Sequence, residues 1–502
     1  MVITPRLPAL DRLVATLKHD LTRQLRQPGQ GLEPGKMLSL AVKIQSVDIL
    51  RLVQALVATP EPFFYLENPQ RQTAVLGYGV AQSDTINPTL LGGEQRFAAT
   101  QTLIQNCLAR INTLGCWDAA LPGPQFFCNF TFDDRPAPSL WQDIVLPAAT
   151  VLLPRWQVVR SPDRCVLIAN LTFDPTSWLC EAALTDQIAA IAARVRPAVQ
   201  QIYHWAQRPV ALPKVRRSAR PNAPLLSCSS TLQTHYLIPP SQYKAGVEQA
   251  LAAIAAGQLQ KIVLANGLDV RAAQPFQIAP SLQVLRQTYP GCHSFAVRQH
   301  GVIFLGATPE VLLRTGDRQL FTEALAGSAP RGQWPSQDQH FAQVLLCNAK
   351  ERHEHRIVAD FIVACLEQLG LTPQVPQTLA LRQLSNIQHL WTPIQAAIPA
   401  RVHPLEVLAQ LHPTPAMAGW PRDHALAQLP HYEPFHRLGY AAPLGWVDAQ
   451  GNSEFVVGIR SALIQDDRAR LYAGAGIVAG SDPEQEQREV QLKLRTLLDT
   501  LV

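Results

Sequence analysis

Lys261 stands inside the apolar run QKIVLANGLDV, with Ile262, Val263, Leu264 and Ala265 directly after it. A lysine there either snorkels its ammonium to water or occupies a site that stabilises its charge or lowers its pKa. In the second case the amine can act as a general base near neutrality. Glu310 closes the segment FLGATPE, where Gly306 and Pro309 punctuate a tight turn after an apolar strand. In apolar surroundings its pKa rises, as a general acid requires; in water it is only a solvated turn residue. The string KERHEHR, beginning at Lys350, opens a helix whose apolar stripe runs through Val358, Phe361 and Cys365. Stepping back by helical turns puts Glu354, Glu351 and Cys347 on the same line. Two carboxylates aimed where core residues point need compensation, and a hard cation is a common one.

The C-terminal segment AGAGIVAGSDPEQEQREVQLKL predicts a small-residue strand and then a helix capped by Ser481 or Asp482 and begun by Pro483. On that helix Glu486, Glu489 and Lys493 form one stripe, about a quarter turn from the apolar stripe of Val490, Leu494, Leu497 and Leu501. It is either a surface ion-pair row or a second carboxylate donor set for magnesium, which prefers a few carboxylates and retained water. Gly474 and Gly476 say only that the backbone there comes close to something. Arg460, in the strand-like FVVGIRSALI, offers a guanidinium that can fork onto a substrate carboxylate. His353 and His355 invite a zinc reading, but no cysteine or further histidine stands at closing distance.

The elements around these residues are legible from period and punctuation. A helix is expected from Ser241 with Val247, Leu251 and Ile254 at helical spacing and a stop at Gly257; the Lys261 strand follows. Lys261, Val263 and Ala265 should share one face, Ile262 and Leu264 the other. Two strands, SFAVRQ and GVIFLGA, meet at His300 and Gly301. Earlier in the chain come the apolar runs PFFYL and AVLGYGVA, the strand-like DRCVLIANLTF and an Ala-rich helix from Leu184 to about Ala206. The stretch 207–233, rich in Pro, Ser and Arg, reads as a connecting segment. The chain therefore divides into an N-terminal portion, 1–235, and a portion 236–502 that carries the candidate chemistry.

Composition bounds the partners. Across 502 residues, 43 Lys plus Arg stand against 38 Asp plus Glu, a net charge of +5 that is scattered rather than clustered. That argues against nucleic acid and for a small-molecule partner. No stretch approaches the roughly 18 uninterrupted apolar residues of a bilayer span, and the charged N-terminus lacks a signal-peptide pattern. The nine cysteines form no CxxC pair, as expected in a reducing compartment. A cytoplasmic location is expected, with no membrane partner. No coiled-coil heptad argues against a monomer.

Taken in order, KIVLAN, GATPE, TEALAGSAPRG, KERHEHRIV, NIQHLWTP, LHPTPAMAG, GWVDAQGNSEFVVGIRSA and AGAGIVAGSDPEQEQREVQLKL resemble the chorismate-utilising enzymes, the family of isochorismate, salicylate, anthranilate and aminodeoxychorismate synthases. The resemblance covers about residues 240–502. It implies a large α+β fold of extended antiparallel sheets flanked by helices, completed by the N-terminal portion, with chorismate as substrate and Mg2+ as cofactor. Lys261 would then activate water for attack at ring carbon 2, and Glu310 would protonate the hydroxyl leaving carbon 4. Glu354 and Glu489 would bind the metal, supported by Glu351 and Glu486. Arg460 and Tyr440 would hold the enolpyruvyl carboxylate. Gly327, Ser328, Gly474, Gly476 and Lys493 would line the pocket, and His389 would occupy the family's active-site histidine position.

Within the family, ammonia-inserting members usually have glutamine where this chain has Lys261, and the aminodeoxychorismate type has a nucleophilic lysine where Ala326 stands. RHEH also replaces the DLARND-like string of anthranilate synthases. Water is therefore the expected nucleophile. Lyase-competent salicylate synthases tend to carry threonine where Ala416 stands. The expected product is isochorismate, with salicylate synthase as the alternative, Met417 and Tyr440 also shaping the pocket.

Overall fold

The computed structural model describes residues 14–16, 18–19, 21–23, 37–87, 95–115, 123–134, 141, 145–172, 184–210 and 232–501. Most of the connecting segment proposed at 207–233 lies outside them.

Among the described residues twenty strands join in one hydrogen-bonded network. All pairings are antiparallel except that of Met37–Ile44 with Ile111–Gly115. The network divides at the long strand Ala149–Ser161. One edge of this strand pairs with Thr73–Ile86, while the other is shared by Gln125–Phe130 and Arg164–Leu171. From the first edge an arm runs through Phe63–Asn68, His293–Gln299, Val302–Thr308, Ser461–Gln465 and Arg468–Val478 to Lys261–Ala272. From the second, another runs through Gln125–Phe130, Pro443–Asp448, Ser453–Val457, Val311–Gly316 and Gln319–Pro330 to Ile387–Ala397. Strands from before and after residue 235 pair directly in both arms, so the two portions share their sheets.

The chain crosses between the arms at two places, and both carry candidate residues. Pro309 and Glu310 step from Val302–Thr308 to Val311–Gly316; Gly458 to Arg460 step from Val457 back to Ser461. The crossings bind one another, Val457 N donating to Glu310 O (3.2 Å) and Ala307 N to Arg460 O (3.2 Å). FVVGIRSALI is therefore not one strand: Arg460 sits in the break with φ +50°. A side chain on such a turn projects away from both sheets rather than alternating between faces.

Aromatic side chains fill the space where the arms meet. Phe63, Phe64, Tyr65, Phe126, Phe127, Phe130, Phe295 and Phe455 are all buried, and Phe64 stacks on Phe127 with centroids 4.7 Å apart. A Cβ at Gly77 would lie 2.4 Å from the Phe127 ring, so only glycine fits beneath it. A partly buried ionic cluster ties helix to sheet: the buried Glu67 accepts from Arg160 (2.6 Å) and Arg286 (3.4 Å), and Arg286 also grips Asp48 (2.7 Å). The expected helices form outside the sheets at Leu184–Ala206, Pro240–Ala255, Ala349–Gln368 and Pro483–Leu498. None of the described helices is long and apolar enough to cross a membrane.

Because both arms share the Phe127 layer, Phe127→Ala is expected to cost about 3–5 kcal/mol and to lower one cooperative melting transition for the whole chain. Calorimetry showing two independent transitions, only one of them shifted, would contradict this.

Candidate active site

The Lys261 strand has the expected alternation, and its partner explains the GxG. Lys261, Val263 and Ala265 sit opposite Val478, Gly476 and Gly474, so all six share one face. Lys261 is buried, and its Nζ donates to Glu354 Oε1 at 2.8 Å. A Cβ at Gly476 would stand 2.7 Å from that same Glu354 oxygen and 3.1 Å from Lys261 Cε; at Gly474 it would meet the Tyr440 hydroxyl at 2.9 Å. Bare backbone is what lets the ion pair and Tyr440 occupy this face. Tyr440 stacks on Tyr472 at 5.3 Å, and burial raises its phenol pKa.

Glu310 faces the same cavity, about 180 Å³ in volume, from its crossing between the arms. It is buried, and burial pushes its carboxyl up to about 8, with Glu323 adding to the rise and Lys261 and Arg382 opposing it. At neutral pH Glu310 therefore holds its proton. The Arg460 guanidinium enters from the neighbouring crossing, its Nη2 3.4 Å from His389 Nε2, while His389 Nδ1 lies 2.9 Å from Ser328 Oγ. Burial, with Arg460 and Lys493 nearby, takes the imidazole pKa down to about 3. A neutral ring accepting from Arg460 at Nε2 must carry its hydrogen on Nδ1. Ser328 reaches this position because Gly327 forms a bulge, φ +74°, in the ladder with Ile387–Ala397.

Four carboxylates line the opposite side, from two helices. The first helix is capped by Asn348, whose side chain accepts from Glu351 N (3.1 Å). The second is capped by Asp482, accepting from Gln485 N (2.8 Å), with Pro483 in its first turn. Lysines meet three of the carboxylates: Lys261 on Glu354, Lys350 on Glu486 (3.4 Å) and Lys493 on Glu489 (2.7 Å). Glu351 accepts from Ser328 N (2.9 Å) and lies 4.0 Å from Lys350 Nζ. Burial raises the pKa of Glu351 and of Glu486; Glu354 and Glu489 add to the first rise, and Glu489 to the second. Glu489 is held low by Lys493.

An all-oxygen set of four carboxylates fits a hard divalent cation. Among the described residues no three His, Cys, Asp or Glu side chains converge into a ready cage. Magnesium requires none, since it keeps several waters and takes one or two carboxylates. Zinc fits poorly: His353 is exposed, and the buried His355 turns the other way, its Nε2 2.8 Å from Thr392 Oγ1.

The sixteen residues given catalytic, substrate-binding or metal roles from the sequence all line this one cavity, including Ala416, Met417 and Gly327; Cys347, His353 and His355 do not. Two details differ. Cys347 ends the preceding helix, Pro335–Cys347, and is exposed, because the chain turns at Asn348 before the carboxylate helix starts. Arg460 lies between strands rather than in one. Lys350, Tyr472 and Gln485 also line the cavity and were not anticipated. Lys350 carried a signal, being the first residue of KERHEHR, one position before Glu351.

The fold and site thus define an enzyme that takes a small anionic substrate between an amine, a neutral carboxyl and a carboxylate-rich wall. A family model described as "Chorismate binding enzyme" matches residues 23–502, and the chain belongs to that family. It is 32% identical over 505 aligned residues, 99% of this chain and 96% of the relative, to a "Salicylate biosynthesis isochorismate synthase" of Pseudomonas aeruginosa. It is 40% identical to "Isochorismate synthase DhbC" of Bacillus subtilis over 52% of this chain and 67% of that one. Among solved structures, MenF, the menaquinone-specific isochorismate synthase of Escherichia coli, superposes with a TM-score of 0.72 at 26% identity over 97% of this chain and 99% of the other.

The raised Glu310 pKa is directly observable. A protonated-carboxyl infrared band, present in the native protein near pH 7 and absent from Glu310→Gln, is expected to fade as pH rises through about 8. A band already lost near the ordinary carboxylate range would show that the group is not the neutral acid described.

Proposed function

We propose that the protein is an isochorismate synthase, converting chorismate reversibly to isochorismate. The observation that carries the reading is a buried amine and a buried, protonated carboxyl facing one cavity whose remaining charges balance. Four cations, Lys261, Lys350, Lys493 and Arg460, stand against four carboxylates once Glu310 keeps its proton. A dicarboxylate entering alone would leave two excess negative charges in the pocket, and a divalent cation entering with it restores neutrality.

In the resting site Lys261 is counted as an ammonium; once it has given up that proton, the neutral amine takes one from the water that attacks ring carbon 2, and Glu310 gives its proton to the hydroxyl leaving carbon 4. One water is consumed and one released, so the product is an isomer, and exchanged proton roles carry the reverse reaction. Arg460 and Tyr440 hold the enolpyruvyl carboxylate. His389, kept neutral, braces the guanidinium without adding charge. Ser328, Lys493 and the glycine backbone at Gly474 and Gly476 close the pocket around the ring. Magnesium, held by Glu354 and Glu489 with Glu351 and Glu486 in support, would supply positive charge facing the ring carboxylate. Ala416 leaves the turn over the ring without a hydroxyl, which favours release of isochorismate over pyruvate elimination.

Incubation with chorismate and magnesium is expected to give isochorismate with little salicylate, the same ratio being reached from either side. Chelation should abolish turnover, and magnesium should restore it. Salicylate and pyruvate as main products would replace this reading with that of a salicylate synthase. In Lys261→Ala the circular dichroism should be unchanged while turnover falls on the order of 10²–10⁴-fold; retained turnover would remove the proposed base.

A further inference from the structure

A second buried ion pair lies behind the pocket and touches none of the reacting groups. Glu433 and Arg437 are both buried. Arg437 Nε donates to Glu433 Oε2 (2.8 Å) and Nη2 to Oε1 (2.6 Å). The remaining bonds of the pair end on backbone. Nη1 donates to Met417 O (2.8 Å), Nη2 also to Val263 O (2.7 Å), and Ala265 N donates to Glu433 Oε1 (2.8 Å). The guanidinium faces the rings of Phe132 (4.4 Å) and Tyr440 (6.0 Å), and Tyr440 N donates to Arg437 O (2.9 Å).

These backbone atoms belong to three walls of the cavity. Val263 and Ala265 belong to the Lys261 strand, Met417 to the turn over the ring, and Tyr440 to the segment leading into the second arm. We infer that Glu433 and Arg437 form a positioning unit that fixes the spacing between the strand carrying the base, the Ala416–Met417 turn and Tyr440. This rests on the chorismate reading of the site and adds residues to it.

Stability alone is a poor account of the pair, because a buried ion pair gains little over well-packed apolar side chains. Geometry is a better one: a planar fork can hold two carbonyls and a carboxylate at once, and a lysine ammonium on a flexible stem cannot. The Glu67–Arg160–Arg286 cluster supplies a comparison. It is an ionic group around the buried Glu67, its arginines half-buried, whose members line no part of the cavity.

The test compares Arg437→Lys with Arg286→Lys in the full chain, supplied with chorismate and magnesium. Both are expected to fold and to lose a few degrees of Tm. Arg437→Lys should lower kcat about a hundredfold, the scale of an ångström-level misplacement, with the chorismate KM changed less than about threefold. Arg286→Lys should keep native kcat. Native kcat in folded Arg437→Lys, or an equal loss in Arg286→Lys, overturns the inference. If Arg437→Lys does not fold, Phe132→Leu loosens the guanidinium without breaking the ion pair and should lower kcat in the same sense; native kcat there also overturns it. If the native chain does not turn chorismate over, the functional reading fails first. Amide exchange then still reads the spacing: protection at Val263 and Ala265 should drop in Arg437→Lys and persist in Arg286→Lys, and unchanged protection counts against the unit.

Discussion

Charge removed from water must be met by charge, and the pocket is arranged around that requirement. Lys261 is buried in a strand that otherwise packs as core, and its ammonium is sustained by Glu354 from a helix on the far side of the cavity. Lys261 cannot stay buried and ionised without such a partner. Their meeting requires Gly476 to have no side chain, the helix to begin at Asn348 and the strand to run opposite Arg468–Val478. Glu310 meets the same requirement differently, by remaining uncharged.

One cavity can therefore hold a paired amine and an uncharged carboxyl side by side. The lysine lies at the end of one arm of the sheet, and the acid lies where the chain passes between the arms. Their environments differ because one has a carboxylate partner within hydrogen-bond reach and the other has apolar surroundings and a neighbouring carboxylate, Glu323. The infrared titration of Glu310 and the Lys261 substitution probe these two environments separately.

Much of the site was legible in the sequence because its signals are local. Lys261 among β-branched neighbours, Glu310 after Gly306 and Pro309, and the carboxylates on two helical stripes can each be read within a dozen residues. The strands and helices around them follow from period and capping for the same reason. What local reading missed depends on distant pairings. Arg460 sits in a break imposed by the crossing beside Glu310, although its sequence reads as a continuous strand. The branching of the sheet at Ala149–Ser161, and the sharing of strands between residues before and after 235, leave no mark on periodicity. Glu433 and Arg437 read as an ordinary i, i+4 pair, since nothing nearby says that Met417 and Val263 will stand against them.

The two crossings bear on how far such a pocket can be reshaped. Glu310 O accepts from Val457 N and Arg460 O from Ala307 N, so each crossing is tied by its own main chain to the strand that leads into the other. Widening the gap between them to admit a longer side arm on the ring would require unzipping both passages at once. Variation in ligand size is absorbed more easily at the exposed rim, where helices rather than crossings form the wall.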